Sequence, residues 1–148
     1  MMNEEVRSIM ATEVQTVCPT QTIKSVAKLM LREQLQQLPV TDEEGILLGV
    51  ITSYDLWKNR RKRGKESERM LAGDIMTTRV AKLAPKDKVG TAAELFLDRR
   101  FKTLPVVNLE GKLKGVVTAF DIIRYSFNKA YPQPILYQEE ATSRRFRA

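Results

Sequence analysis

The sequence predicts an α/β (α+β) fold of two strand-helix-strand-strand-helix repeats packed as a pseudo-twofold pair, and three observations carry that prediction. Shifted by 66 residues, the chain aligns with itself without a gap from Val6/Ala72 to Lys58/Arg124, and 18 of those 53 pairs are identical. Chance gives about one identity in twenty, so the chain contains an internal duplication. Within each copy the apolar pattern alternates between a period near two and one near 3.6, the signatures of strand and helix. A unit of about 55 residues buries too little apolar surface to stand alone, so the two copies are expected to pack together.

The elements follow in order. An extended segment, Val14 to Cys18 or Val80 to Ala84, ends at Pro19 or Pro85. Ile23, Val26, Ala27, Met30 and Leu31 then fall at helical spacing, as do Val89, Ala92, Ala93, Phe96 and Leu97. Each set predicts an amphipathic helix, opened in the first copy by Thr22. QLPVT or TLPVV reads as a short strand, Asp42 to Gly45 or Asn108 to Gly111 as a turn, and LLGVIT or LKGVVT as the second strand of a hairpin. After Thr52 or Thr118 the alternation gives way to a second helix, SYDLWKNRR or AFDIIRYSF. The chain therefore divides into repeat one (1–71, with a basic connector at 58–69), repeat two (72–124) and a C-terminal extension (125–148). In the extension Pro132 and Pro134 stop any helix, Ile135-Leu136-Tyr137 offers a docking segment, and Arg144, Arg145 and Arg147 belong to a loose end.

Composition narrows the function. The chain has no histidine and one cysteine, Cys18, so it lacks the commonest metal ligand, the commonest general base and any internal disulfide. Neither a hydrolytic triad nor a metal site is expected, and Cys18 reads as a small packed strand residue. The sequence offers no P-loop, no G-x-G-x-x-G and no nucleophile-base pair, which argues against an enzyme. No stretch approaches the 18 or so consecutive apolar residues of a membrane span, and MMNEEVRSIM lacks the layout of a signal peptide. A cytoplasmic protein without membrane insertion is expected. The net charge of +7 is uneven: residues 1–57 hold 4 basic and 8 acidic side chains, whereas 58–69 hold 7 and 2. The positive field thus lies on the connector and the second half, which suits an anionic partner.

The heptads GVITSYD (49–55) and GVVTAFD (115–121) are the candidate functional motif. Threonine before a helix is a good N-cap, and an acid three residues on sits where the helix dipole favours negative charge. The glycine three residues before the threonine permits close backbone approach. The same atoms also suit a ligand: a carboxylate accepts both hydroxyls of a ribose, and the threonine hydroxyl with the free N–H groups of a helix start suits phosphate.

The patterns I-M-x-x-x-V, L-P-V and G-V-[IV]-T-x-x-D, present in order in both copies, resemble the cystathionine-β-synthase-type regulatory repeat, the CBS domain, over residues 6–124. The resemblance implies β-α-β-β-α units meeting through their sheets, with clefts that hold an adenine nucleotide or another adenosyl ligand. By position, Asp55 and Asp121 would accept ribose hydroxyls, and Thr52 and Thr118 would contact phosphate or ribose. Apolar residues crossed over from the other repeat would hold the adenine: Val80 and Leu104 beside Asp55, Val14 and Leu38 beside Asp121. The phosphate end would face Lys102 and Lys82 in the Asp55 cleft but Gln36 and Thr16 in the other, favouring di- or triphosphates in the first alone. Tyr54 and Phe120 either line a pocket or pack in the core. The resemblance also implies a non-catalytic regulatory module acting on a separate effector protein. It further implies a homodimer through helix faces carrying Leu56 and Trp57 or Ile122 and Ile123. Two other readings use the same residues: a basic nucleic-acid-binding protein recognising its partner through 58–65, and a structural dimerisation module with empty clefts.

Overall fold

The computed structural model describes residues 2–99 and 101–132; Pro134, Ile135-Leu136-Tyr137 and the terminal arginines lie outside them. The first copy contributes helix α1 (Ile23–Arg32), strands β1 (Gln37–Thr41) and β2 (Leu47–Thr52) and helix α2 (Ser53–Arg63). The second contributes α3 (Ala72–Ile75), α4 (Val89–Phe96), β3 (Thr103–Val107), β4 (Leu113–Thr118) and α5 (Ala119–Ala130). Each hairpin is antiparallel, with Leu38 opposite Ile51 and Leu104 opposite Val117. Gly45 and Gly111 close the turns at φ of 86° and 85°, a left-handed conformation that glycine adopts at least cost. Thr22 caps α1, accepting from the Ser25 N–H at 3.2 Å.

The opening strands are shorter than the sequence suggests. Val14–Cys18 and Val80–Ala84 reduce to single parallel bridges, Val17 with Val40 and Leu83 with Val106. Val17 donates to the Pro39 carbonyl at 3.0 Å and accepts from the Thr41 N–H at 2.9 Å. A further rung on either side would need an N–H from Pro39 or from Pro19, and proline has none. Pro105 and Pro85 impose the same limit on Leu83. Cys18, expected in that strand, lies instead in the turn before α1, half-buried, with its Sγ 3.5 Å from the Thr20 hydroxyl oxygen. The second helices run longer than the pattern indicates, α2 to Arg63 and α5 to Ala130. Tyr131, at φ −128° and ψ 76°, is pushed out of helical conformation ahead of Pro132.

Each copy's core is completed by the other copy's opening segment. Val6 joins Leu83, Val89, Leu104, Val106 and Val117 of the second copy. Ala72 joins Val17, Ile23, Val26, Leu38 and Ile51 of the first. The crossing segments hydrogen-bond to the second hairpin strands: Ala11 with Val116 at 2.9 and 3.0 Å, and Thr77 with Val50 at 2.9 Å in both directions. The motif glycines make this contact possible. A Cβ at Gly49 would stand 2.7 Å from the Thr77 carbonyl oxygen, and one at Gly115 would stand 2.6 Å from that of Ala11. The hairpin tips also meet across the pseudo-twofold axis, Leu47 donating to Gly111 at 3.0 Å and Leu113 to Gly45 at 2.9 Å.

Candidate functional site

Both T-x-x-D motifs are reciprocal capping boxes. Thr52 Oγ1 accepts from the Asp55 N–H at 3.1 Å while Asp55 Oδ2 accepts from the Thr52 N–H at 2.9 Å. Thr118 and Asp121 repeat the pair at 3.2 and 2.8 Å. Two helix-start donors are satisfied in each copy, so the motif has a complete structural role. The carboxylates differ beyond the cap. Asp121 is 8% exposed and its Oδ1 accepts from Arg124 Nη2 at 2.8 Å. Asp55 is half-buried, its Oδ2 takes a second bond from the Thr77 hydroxyl at 3.4 Å, and no hydrogen bond among the described residues reaches Oδ1.

The largest cavity described, about 730 Å³, lies where the two hairpins meet. Repeat one lines it with Glu13-Val14-Gln15, with Gln34 to Pro39 and with Thr52-Ser53-Tyr54; repeat two adds Lys102, Thr103, Pro105, Val116 and Thr118. Gln37 Nε2 bridges the two copies there, donating to the Thr103 carbonyl at 3.3 Å. The lining has an apolar side, carried by Val14, Leu38, Pro39, Pro105 and Val116, and a polar side of hydroxyls and amides. Its charged residues are one cation, Lys102, and one carboxylate, Glu13.

The structure brings together Val14, Leu38, Thr52, Thr118 and Lys102, but not the rest of the expected set. Leu104 is 1% exposed and packs in the second core. Val80 lines a separate open hollow with Arg79, Ala81 and Phe101. Thr16 and Lys82 are exposed and are not among the residues lining the central cavity. Among the cavities described, none joins Asp55 to Val80 and Leu104, or Asp121 to Val14 and Leu38, as the crossed clefts anticipated from sequence would. Lys102 and Gln36 share one cavity, because the strand starts Gln37 and Thr103 meet at the axis. Neither aspartate lines that cavity. Asp55 borders a cavity of about 340 Å³ beside α2, and Asp121 one of about 400 Å³ beside α5. Tyr54 is 62% exposed and lines the central cavity, so it does not pack in the core. Sequence reasoning passed over Glu13, Gln15 and Ser53, each adjacent in sequence to a residue it did select.

The family model for the CBS domain matches residues 6–56 and 72–128. The chain belongs to the CBS-domain family. It is 29% identical over 124 residues to a homoserine O-acetyltransferase from Methanococcoides burtonii, a match covering 84% of this chain and 24% of that protein. It spans only 24%, 63% and 58% of the first three curated relatives it matches. Among solved CBS pairs, that of CBSX2 from Arabidopsis thaliana in complex with AMP superposes with a TM-score of 0.75 at 26% identity, covering 86% of this chain and 98% of that one. The CBS pair of protein MJ0100 in complex with 5′-methylthioadenosine and S-adenosyl-L-methionine superposes at 0.70 with 27% identity, covering 84% and 97%. The relationship thus holds for sequence and for fold. No helix among the described residues is long and apolar enough to cross a membrane.

Proposed function

We propose that this CBS pair is a non-catalytic regulatory module that binds an adenosyl ligand in the central cavity and signals to a separate effector protein. The observation that carries the reading is the cavity itself. It is of ordinary ligand size, with an apolar wall suited to a purine and a polar wall built from the threonines of both motifs. Solved pairs of the same fold hold AMP or S-adenosylmethionine-type ligands, which supports the class. Asp55 and Asp121, expected from sequence to hold ribose hydroxyls, lie outside the central cavity, so in this reading the polar contacts to the ligand come from Thr52, Thr118 and Gln37.

The cavity's charge balance refines the ligand. An ammonium within about 4 Å of a phosphate contributes about 1 to 4 kcal/mol. One lysine, set against one glutamate, offsets only part of a triphosphate's charge. A monophosphate or an uncharged or zwitterionic adenosyl compound is therefore favoured over ATP. Calorimetry with AMP, ATP and S-adenosylmethionine tests this. A bound ligand at a hundred times its dissociation constant is expected to stabilise the fold by about 2.7 kcal/mol. Absence of binding by all three would overturn the reading. Lys102→Gln is expected to weaken AMP more than S-adenosylmethionine.

The module is further proposed to act as a homodimer through α2 and α5. Leu56 and Ile122 turn inward against the two cores, whereas Trp57 and Ile123 remain 55% and 63% exposed. Such exposed aromatic and aliphatic groups at equivalent places on the two helices suit a partner surface. Light scattering decides the matter, a monomer of 16.9 kDa counting against it.

A further inference from the structure

The cavities beside α2 and α5 are built from equivalent positions under the 66-residue shift, so each serves as a control for the other. Beside α5 the two cations are matched by acids: Arg124 pairs with Asp121 at 2.8 Å and Lys129 with Glu4 at 2.6 Å. Beside α2 the corresponding cations, Lys58 and Arg63, have no ion pair among the described residues, and Lys62 adds a third where α5 has Asn128. The acid is missing on that side because Met70 stands where Glu4 stands on the other. The two carboxylates present, Asp55 and Asp74, already accept backbone N–H groups at 2.9 and 3.0 Å. The nearby pair of Arg60 with Glu68, at 3.1 Å, leaves these three cations untouched.

A second observation points the same way. Asn59, the counterpart of Tyr125, lines the α2 cavity and is 8% exposed, and its Nδ2 has no hydrogen-bond partner. A buried donor without an acceptor is costly, and natural proteins keep few of them. Asp55, Lys58, Asn59 and Lys62 follow i, i+3, i+4, i+7 spacing, so the amide and two of the cations share one helix face with the capping carboxylate. An anion seated there would meet three cations and an amide donor, set against the carboxylates of Asp55 and Asp74, so the cavity keeps a net positive charge.

We propose that this cavity is a second ligand site, separate from the central one, that takes the phosphate group of a compact phosphorylated small molecule. At about 340 Å³ it lies at the small end of ligand cavities, which fits a phosphate ester and not a polymer. The site does not depend on the adenosyl reading, because none of its residues lines the central cavity.

Inorganic pyrophosphate is the probe, titrated calorimetrically into the full chain. Binding with a dissociation constant below about 1 mM is expected. Lys62→Gln and Arg63→Gln, both at exposed positions, are each expected to weaken it about tenfold. Lys129→Gln, at the equivalent place in the other half, and Lys102→Gln, in the central cavity, are expected to leave it unchanged. Asn59→Asp, of nearly the same shape, is expected to abolish it. The proposal is overturned if pyrophosphate does not bind, or if Lys129→Gln or Lys102→Gln weakens it as much as Lys62→Gln does. It is equally overturned if only a single-stranded oligonucleotide binds, with affinity falling log-linearly with salt, since that marks adhesion to the basic helix.

Discussion

The two halves share a capping motif to within 0.1 Å in each hydrogen bond, yet their aspartates have different chemistry. Asp121 is buried against Arg124, whereas Asp55 keeps one oxygen uncommitted although Lys58 occupies the equivalent position. The comparison teaches that T-x-x-D specifies a helix start and leaves the carboxylate's second oxygen to be assigned by its neighbours. A difference of one residue, arginine's long planar fork against lysine's point charge, decides which copy retains a free acceptor.

The largest effects are expected in the cores. Leu38→Ala and Leu104→Ala should each cost about 2 to 5 kcal/mol in urea denaturation, since each deletes a fully buried side chain. Only Leu38→Ala should also alter adenosyl-ligand affinity, because only Leu38 lines the central cavity. Equal ligand effects would break the distinction between the halves.

Next come the crossing points. Gly115→Ala sets a methyl 2.6 Å from the Ala11 carbonyl oxygen and 2.8 Å from Met10 Sδ, and overpacking of this kind costs about 1 to 3 kcal/mol. Gly49→Ala, at 2.7 and 2.9 Å from Thr77 and Met76, should cost as much. Gly45→Ala meets no neighbour within 4 Å and should lose only about 1 kcal/mol from its left-handed backbone. A cost at Gly45 above that at Gly115 would show that the exchanged segments do not constrain the strand.

The aspartates themselves come third. Asp55→Ala is expected to cost about 1 kcal/mol by removing the cap acceptor. Asp121→Ala should cost roughly 1 kcal/mol more, because it also breaks a partly buried ion pair. Neither aspartate lines the central cavity, so under the proposed function neither variant is expected to change adenosyl-ligand affinity in calorimetry.

The smallest effect is a pH dependence where the Glu4 segment crosses to the second half. The Lys129 ammonium holds the Glu4 carboxyl below its usual value, and Glu4 in turn raises Lys129. The contribution of Glu4 is therefore complete above its ordinary unfolded pKa and is lost as pH falls through the lowered folded value. That of Lys129 is complete below the ordinary lysine value and lost as pH rises through the raised one. Amide exchange at Val6, beside Glu4, should quicken on acidification, and Glu4→Gln should remove that dependence. Met70, at the corresponding place in the first half, carries no carboxyl and should give no counterpart of this acid-range effect.

The duplication, the bounds of all four hairpin strands, the turns at Gly45 and Gly111 and the threonine caps were legible in the sequence. Each rests on residues within a few positions of one another, where period, turn chemistry and capping act locally. The tertiary structure alone decided which copy each opening segment completes, because Val6 and Ala72 are equivalent in pattern and either core accepts an apolar side chain of that size. It also decided that the opening strands end at one bridge, since the proline that limits Val17 from one side belongs to a different strand, at Pro39. The same holds for the central cavity, where Lys102 and Gln36 face one another across an axis that no local pattern encodes. Pairings between residues some 66 positions apart depend on how two finished units meet, and that is fixed by packing, not by propensity.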